Sequence, residues 1–265
     1  MTTTALPLDE APDLERRFGG LRRLYGDAGY ARIRAARVAI VGVGGVGSWC
    51  AEALARSGIA GLTLIDLDHV SESNINRQIQ ATSATLGQSK VQALRERIAA
   101  IHPGCEVVGV EEFVDESNWP GLLTQPVDAV IDACDQVRAK TAIAAWALRT
   151  RFGALIAAGA AGGKRQPQAV QVDDLGAVTH DPLLAALRQR LRKHHGGARS
   201  GKIGVRCVYS REPVTMPGAA CEAGDDPAAV DGSLNCHGYG SSVGVTATFG
   251  MVAASLALES VALQK

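Results

Sequence analysis

The stretch that most constrains this chain is Val38–Ser48, VAIVGVGGVGS, read together with Leu62–Asp66, LTLID. Val38–Val41 is a short apolar run rich in β-branched residues. It breaks at Gly42, Gly44, Gly45 and Gly47, and a helical pattern then runs from Ser48 to about Ser57. The order is strand, glycine turn, helix. Such a turn brings bare backbone N–H groups to a helix N-terminus, where a phosphate meets no Cβ. LTLID is a second strand, ending in a carboxylate roughly 20 residues further on, at the spacing that hydrogen-bonds a ribose hydroxyl. Glycines alone do not separate NAD, FAD and ATP.

Further strands are expected at Glu106–Val110, Ala129–Ile131 and Leu155–Ala158, with helices near Ser48–Ser57, Gln88–Ile101 and Val137–Arg149. This alternation predicts an α/β fold, a Rossmann-like doubly wound and mostly parallel sheet. The 265 residues suffice for one such domain with an appendage. We divide them into an N-terminal helical arm (residues 1–36, its first dozen a frayed tail), a nucleotide-binding domain (37–160) and a C-terminal extension (161–265). The arm is helical in character but punctuated over Asp13–Arg37 and carries many arginines, either as a solvated amphipathic face or as a means of laying an arginine over a nucleotide. In the extension, Gln168–Val172 and Lys202–Tyr209 are strand-like and Leu183–Arg192 helical. Glu212–Gly244 is a long Gly-, Pro- and Ser-rich loop. Val243–Leu263 is apolar on nearly every side, which fits a helix buried on the sheet or at a dimer interface better than a membrane span; a peripheral membrane contact stays open.

Composition narrows the partners. With 27 basic and 27 acidic residues the net charge is zero, so no global field draws the chain to nucleic acid or membrane. The six cysteines form no C-x-x-C pair, and the N-terminus lacks an export-type apolar segment. These features point to reduced thiols in the cytoplasm and argue against a structural zinc site.

Beyond Asp66 the loop runs DLDHVSESNINRQIQ, gathering Asp68, Asn74, Arg77 and Gln78, and Lys90 then opens a helix with its ammonium expected to be free and exposed. Arg77 and Lys90 converging on one site suit a triphosphate rather than a nicotinamide. IDACD places Asp132 and Asp135 at the C-terminal edge of a strand, where a carboxylate beside polyphosphate can hold Mg²⁺.

GVGGVGS, Asp66, SNINRQ and Lys90 resemble the adenylating domain shared by ubiquitin-activating enzymes and the bacterial activators of sulfur-carrier proteins. The resemblance implies that the glycine turn (Gly42, Gly44, Gly45, Gly47) holds the phosphates of ATP and that Asp66 binds its ribose. It places phosphate-binding roles on Asn74, Arg77 and Lys90, with Asp68 and Gln78 beside them, and a Mg²⁺ role on Asp135. Gln136 stands where many relatives have Asn. RRFGGLRRLYG, GGVGSWCAEALARSGI and DPLLAALRQRLRK are similar to the bacterial tRNA threonylcarbamoyladenosine dehydratase family over nearly the whole chain. That family uses ATP to cyclise threonylcarbamoyladenosine, next to the anticodon of tRNA, through adenylation of its carboxylate. The resemblance implies a homodimer in which an arginine finger from one subunit's arm serves its partner; Arg17 and Arg23 are equal candidates. A monovalent cation and a sulfur-relay or cysteine-desulfurase-linked partner stay open.

The rival readings are an activator of a ubiquitin-like sulfur-carrier protein, a nicotinamide-dependent oxidoreductase and a non-catalytic tRNA-binding module. Activators usually carry two C-x-x-C zinc pairs, which this chain lacks. A tRNA needs a basic surface, and Arg188, Arg190, Arg192, Lys193, Arg199, Lys202 and Arg206 form a segment without an acid. Cys236, in SLNCHGYGSS, is read either as a reactive loop thiol or as a small buried residue.

Overall fold

The computed structural model describes residues 12–215 and 239–263. One seven-stranded sheet runs through them in the order β3-β2-β1-β4-β5-β7-β6. The strands are β1 Arg37–Val41, β2 Gly61–Ile65, β3 Glu106–Val110, β4 Ala129–Asp132, β5 Leu155–Ala158, β6 Val170–Asp174 and β7 Arg206–Ser210. Every pairing is parallel except β6 with β7. The chain leaves β1 toward β2 and β3 on one side and returns to β4 on the other. The carboxyl ends of β1 and β4 therefore flank a crevice at the point where strand order reverses.

Side-chain alternation explains the two-sided burial. Val38, Ile40, Leu62, Leu64 and Ile131 face one core, with helices α3 (Gly47–Arg56), α4 (Lys90–Ile101) and α7 (Val243–Ala262). Ala39, Val41, Ile65 and Val130 face the other, with α5 (Val137–Thr150) and α6 (Pro182–His194). Each fully buried Ile or Leu contributes about 1.5–3 kcal/mol of transfer free energy.

The expected elements are present, with boundaries moved for local reasons. The arm is interrupted as its glycines suggest: α1 (Leu14–Phe18) and α2 (Arg22–Ala35) are separated by a 3₁₀ turn, and α2 is broken at Gly26, where φ is +69°. Helix α4 starts at Lys90 because Ser89 caps it, accepting from the N–H of Gln92. Helix α6 starts at Pro182 behind Asp181, whose Oδ1 accepts from Leu184 N at 2.9 Å. Strand β7 starts at Arg206 because the N–H groups of Ile203 and Gly204 are held by the Asp174 carboxylate, at 2.7 Å each. Strand β6 starts at Val170, after a 3₁₀ turn over Pro167–Ala169.

The region after residue 160 completes the same sheet. Helix α7 alone among the described helices is long and apolar enough to cross a membrane, yet it packs along α3 and α2 and against the strands, with about half of its residues buried. Its composition reflects a core position. The expected N-terminal tail and most of the loop from 212 to 244, Cys236 included, lie outside the described residues.

Candidate active site

The crevice at the end of β1 is built on the glycine turn. Gly42 has φ +81°, and a Cβ there would sit 2.8 Å from Cys134 N on the loop after β4. Glycine thus lets the ends of β1 and β4 close on each other. A Cβ on Gly47 would fall on the carbonyl oxygen of Gly42, so α3 can begin this close to the turn only with glycine there. Helix α3 has no side-chain cap at its N-terminus. Its backbone dipoles are left to favour an anion in the crevice.

Asp66, one residue past β2, braces the turn. Its Oδ2 accepts from Val43 N at 2.7 Å and its Oδ1 from Asp68 N at 2.9 Å. Burial pushes this carboxyl above the ordinary range, against the opposing pull of Lys90 and the two N–H groups. Each carboxylate oxygen keeps a second lone pair.

A cavity of about 230 Å³ opens here, and Gly42, Gly44, Gly45, Asp66, Asp68, Arg77, Gln78, Lys90 and Asp135 all line it. Two expected site residues stand behind the wall. Gly47 serves the packing just described. Asn74 is buried and forms a capping box with Ser71, its Oδ1 accepting from Ser71 N at 3.1 Å. Its side chain shapes the loop that delivers Arg77.

Lys90 departs from the expectation of a free, exposed ammonium. Its side chain is 8% exposed and its Nζ donates to Asp68 Oδ2 at 2.6 Å. Sequence reveals the charge but not the partner contributed by the loop after β2. Arg77 is half-buried, with Nη1 donating to Ser73 O at 2.7 Å and to Asn76 Oδ1 at 3.2 Å. Burial lowers its pKa, though a guanidinium remains charged.

The two carboxylates of IDACD separate. Asp132 is 1% exposed and pairs with Lys140, itself 0% exposed, with Nζ 3.1 Å from Oδ1. Lys140 Nζ also donates to the Asp132 carbonyl at 3.2 Å, and Cys134 Sγ donates to Asp132 Oδ1 at 3.0 Å. Burial alone would lower the Lys140 pKa; the adjacent carboxylate outweighs it and holds the ammonium above its ordinary value. Asp132 is thus committed inside, and Asp135 is the carboxylate that reaches the cavity.

Sequence reading missed Lys140, as well as Thr246, Ser241, Gly162 and Leu183 on the cavity wall. The glycine bend after β5 was visible, but nothing local places it beside the glycine turn after β1. Among the described residues no group of three or more His, Cys, Asp or Glu is arranged to hold a metal.

The ThiF family model matches residues 17–264. The tRNA threonylcarbamoyladenosine dehydratase of Escherichia coli strain K12 is 42% identical over 252 residues, covering 92% of each chain. The crystal structure of the E. coli enzyme, TcdA, in complex with ATP superposes with a TM-score of 0.82 at 41% identity, covering 93% of this chain and 94% of that one. The molybdopterin-synthase adenylyltransferase of E. coli is 37% identical, over 41% of this chain and 43% of its own length. This chain belongs to the ThiF family. Within that family the E. coli dehydratase is matched over 92% of its length, whereas the match to the E. coli molybdopterin-synthase adenylyltransferase covers less than half of either chain.

In this ThiF-family chain neither arginine-finger candidate lines its own cavity. Both are exposed. Arg17 Nη1 donates to the Ile101 carbonyl at the end of α4, at 2.8 Å, while Arg23 stands on the first turn of α2. The basic segment divides as well. Arg188 Nη1 donates to the carbonyls of Leu175 (3.1 Å) and Val178 (2.7 Å), and Arg192 Nε to that of Ala198 (3.0 Å). Arg190 has a buried Nε without a hydrogen-bond partner, whereas Lys193, Arg199, Lys202 and Arg206 are exposed.

Proposed function

We propose that this chain uses ATP to dehydrate and cyclise threonylcarbamoyladenosine next to the anticodon of tRNA. One observation carries the reading. The glycine turn, the β2-end Asp66, Arg77, Lys90 and Asp135 converge on one cavity at the sheet's switch point, in a chain that matches the E. coli dehydratase over 92% of its length.

Expelling water from a free carboxylate near neutral pH needs a better leaving group than hydroxide. Attack of the substrate carboxylate on the α-phosphate of ATP supplies one: an acyl adenylate forms and pyrophosphate leaves. A nucleophilic atom of the modified nucleoside then closes on the acyl carbon and AMP departs, so the net loss from the base is one water. Such a reaction asks the protein mainly to position groups and to neutralise charge. The N-terminal end of α3 and the glycine turn receive the phosphates. Arg77 and Lys90 face the charge that develops on the leaving pyrophosphate, with Lys90 turning from Asp68 toward phosphate. Asp66 is positioned to accept from ribose with its remaining lone pairs.

The family implies Mg²⁺, and the donor set fits it. Asp135 on the cavity wall is the kind of single carboxylate that holds Mg²⁺ jointly with substrate phosphates, and Asp68 lines the same cavity. Bound there, the ion neutralises phosphate charge. A second copy of the chain would supply the finger, Arg17 or Arg23, to this cavity. The setting in which ATP and tRNA meet is the cytoplasm.

The test is mass spectrometry of tRNA nucleosides after incubation with the protein, ATP and Mg²⁺. The expected result is ATP-dependent conversion of threonylcarbamoyladenosine to a product lighter by one water. ATP consumption that tracks a sulfur-carrier protein instead, with no change in the nucleoside, would reject it.

A further inference from the structure

Helix α6 carries two different surfaces. Leu184, Leu187 and Leu191 repeat at helical spacing and are fully buried. Ala185, Arg188, Gln189, Arg192 and Lys193 repeat at i, i+3, i+4, i+7 and i+8, which places them on one outward stripe. With Arg199 they line an open groove of about 510 Å³ that has four cationic side chains and no acidic one. In a chain of zero net charge, four cations facing one groove without an acid is a local concentration. Two of the guanidinium groups are held in place from behind, Arg188 by the Leu175 and Val178 carbonyls and Arg192 by the Ala198 carbonyl, which leaves their other N–H groups for a ligand. Arg190 falls on the opposite flank of the helix, with its Nε buried.

The groove and the nucleotide cavity meet α6 at neighbouring turns. A second depression of about 390 Å³ shares Ala185 and Arg188 with it and continues to Asp181 and Pro182. Leu183, in the same N-terminal turn of α6, lines the nucleotide cavity, and Asp181 Oδ2 accepts from Ala160 N on that cavity's wall at 2.9 Å. From Leu183 to Arg192 the helix advances about 14 Å.

We infer that Arg188, Arg192 and Lys193 on α6, with Arg199 beyond its C-terminal end, are the track for the RNA backbone, carrying phosphates along the helix while the reacting base enters the cavity at its N-terminal turn. This rests on the tRNA reading above. It assigns phosphate contact to these four residues and removes Arg190 from the set. Contacts of this kind set affinity and register rather than sequence preference.

Each phosphate neutralised on a single strand contributes about −0.7 to the slope of log K against log salt concentration. Arg192→Gln/Lys193→Gln/Arg199→Gln is therefore expected to flatten the slope for a tRNA transcript by about 2 and to weaken binding at least tenfold. Lys193→Gln/Arg199→Gln, which keeps the Arg192–Ala198 contact, should flatten it by about 1.4. Arg190→Gln should match the wild type, and ATP should raise the melting temperature of every variant equally. The measurement is fluorescence anisotropy with labelled transcript at several salt concentrations, beside a melt with and without ATP and Mg²⁺. Unchanged slope and affinity in both multiple variants overturns the groove, as does an equal loss in Arg190→Gln; in either case wild-type conversion of tRNA would leave the reaction standing. A wild type that neither binds nor converts tRNA overturns both.

Discussion

Replacing Lys140 by Met tests whether the end of β4 is held by a buried charge pair. Lys140 and Asp132 are both excluded from solvent, and the lysine contributes both the 3.1 Å contact to Oδ1 and the 3.2 Å bond to the Asp132 carbonyl. Without it the carboxylate keeps only the Cys134 N–H (3.3 Å) and thiol (3.0 Å), while its Oδ2 is already without a hydrogen-bond partner. Leaving one member of a buried pair uncompensated costs about 3–5 kcal/mol. For 265 residues, an unfolding entropy of about 2.1 cal/mol/K per residue gives roughly 0.56 kcal/mol/K. Lys140→Met should therefore lower Tm by about 5–9 °C. Asp132→Asn/Lys140→Met removes both charges and should recover most of that loss, because a neutral amide in place of the carboxylate is far cheaper to bury. The assay is calorimetry of the three proteins, with urea titrations to check that m is unchanged. A single variant that melts within about 2 °C of wild type, or a double variant no more stable than the single, refutes the reasoning.

Arg77→Ala and Lys90→Ala should each lower ATP-dependent turnover at least tenfold, about 1.4 kcal/mol of transition-state stabilisation, in a steady-state assay. Lys90→Ala should cost little stability despite its burial, because the Asp68 left behind is 57% exposed and is taken up by water; a melt checks this. Asp135→Asn should keep ATP protection against melting yet lose most Mg²⁺-dependent turnover, whereas Asp132→Asn should register first as lost stability. The His102 ring packs tilted against Phe18, with centroids 4.7 Å apart, and its Nε2 stands 3.4 Å from Arg34 Nη1; burial first, then the Arg34 charge, hold its pKa below the usual 6.5. The unfolded chain then binds the proton more tightly, so the stability contributed by neutral His102 is complete above about pH 6.5 and is lost as pH falls below it. Denaturant midpoints between pH 5 and 8 should show that decline in wild type and a shallower one in His102→Gln.

How much of this was legible in the sequence depends on the range of the interaction. Val38–Val41, Leu62–Ile65 and Leu155–Ala158 announce themselves because β-branched and aliphatic runs bounded by glycine or charge are local signals. The glycine turn was legible for the same reason, since a positive φ at Gly42 and the close start of α3 are backbone requirements that only glycine meets. The split between Asp132 and Asp135 was not, because spacing puts both at a strand end and only Lys140, from the next helix, decides which is taken inside. Lys90 failed likewise through a partner 22 residues away. Arg190 is a different case. Helical spacing already separates it from Arg188 and Arg192, and counting the seven cations as one segment discarded that information.

The C-terminal helix shows why long-range placement escapes a linear reading. Val243–Ala262 has the length and hydropathy of a membrane span, and its character is that of a core element. Its role becomes visible at Arg77. The Arg77 carbonyl accepts from Trp49 Nε1 on α3 at 2.9 Å and from Thr246 Oγ1 on α7 at 3.4 Å, 169 residues away in the chain. Gly45 leaves room for Thr246 beside the glycine turn, where a Cβ would sit 3.2 Å from its methyl group. The backbone carrying Arg77 is thereby fixed between the helix that follows the glycine turn and α7. Burial of α7 and placement of Arg77 are one packing event, so stabilising α7 and organising the Arg77 wall of the cavity draw on the same contacts.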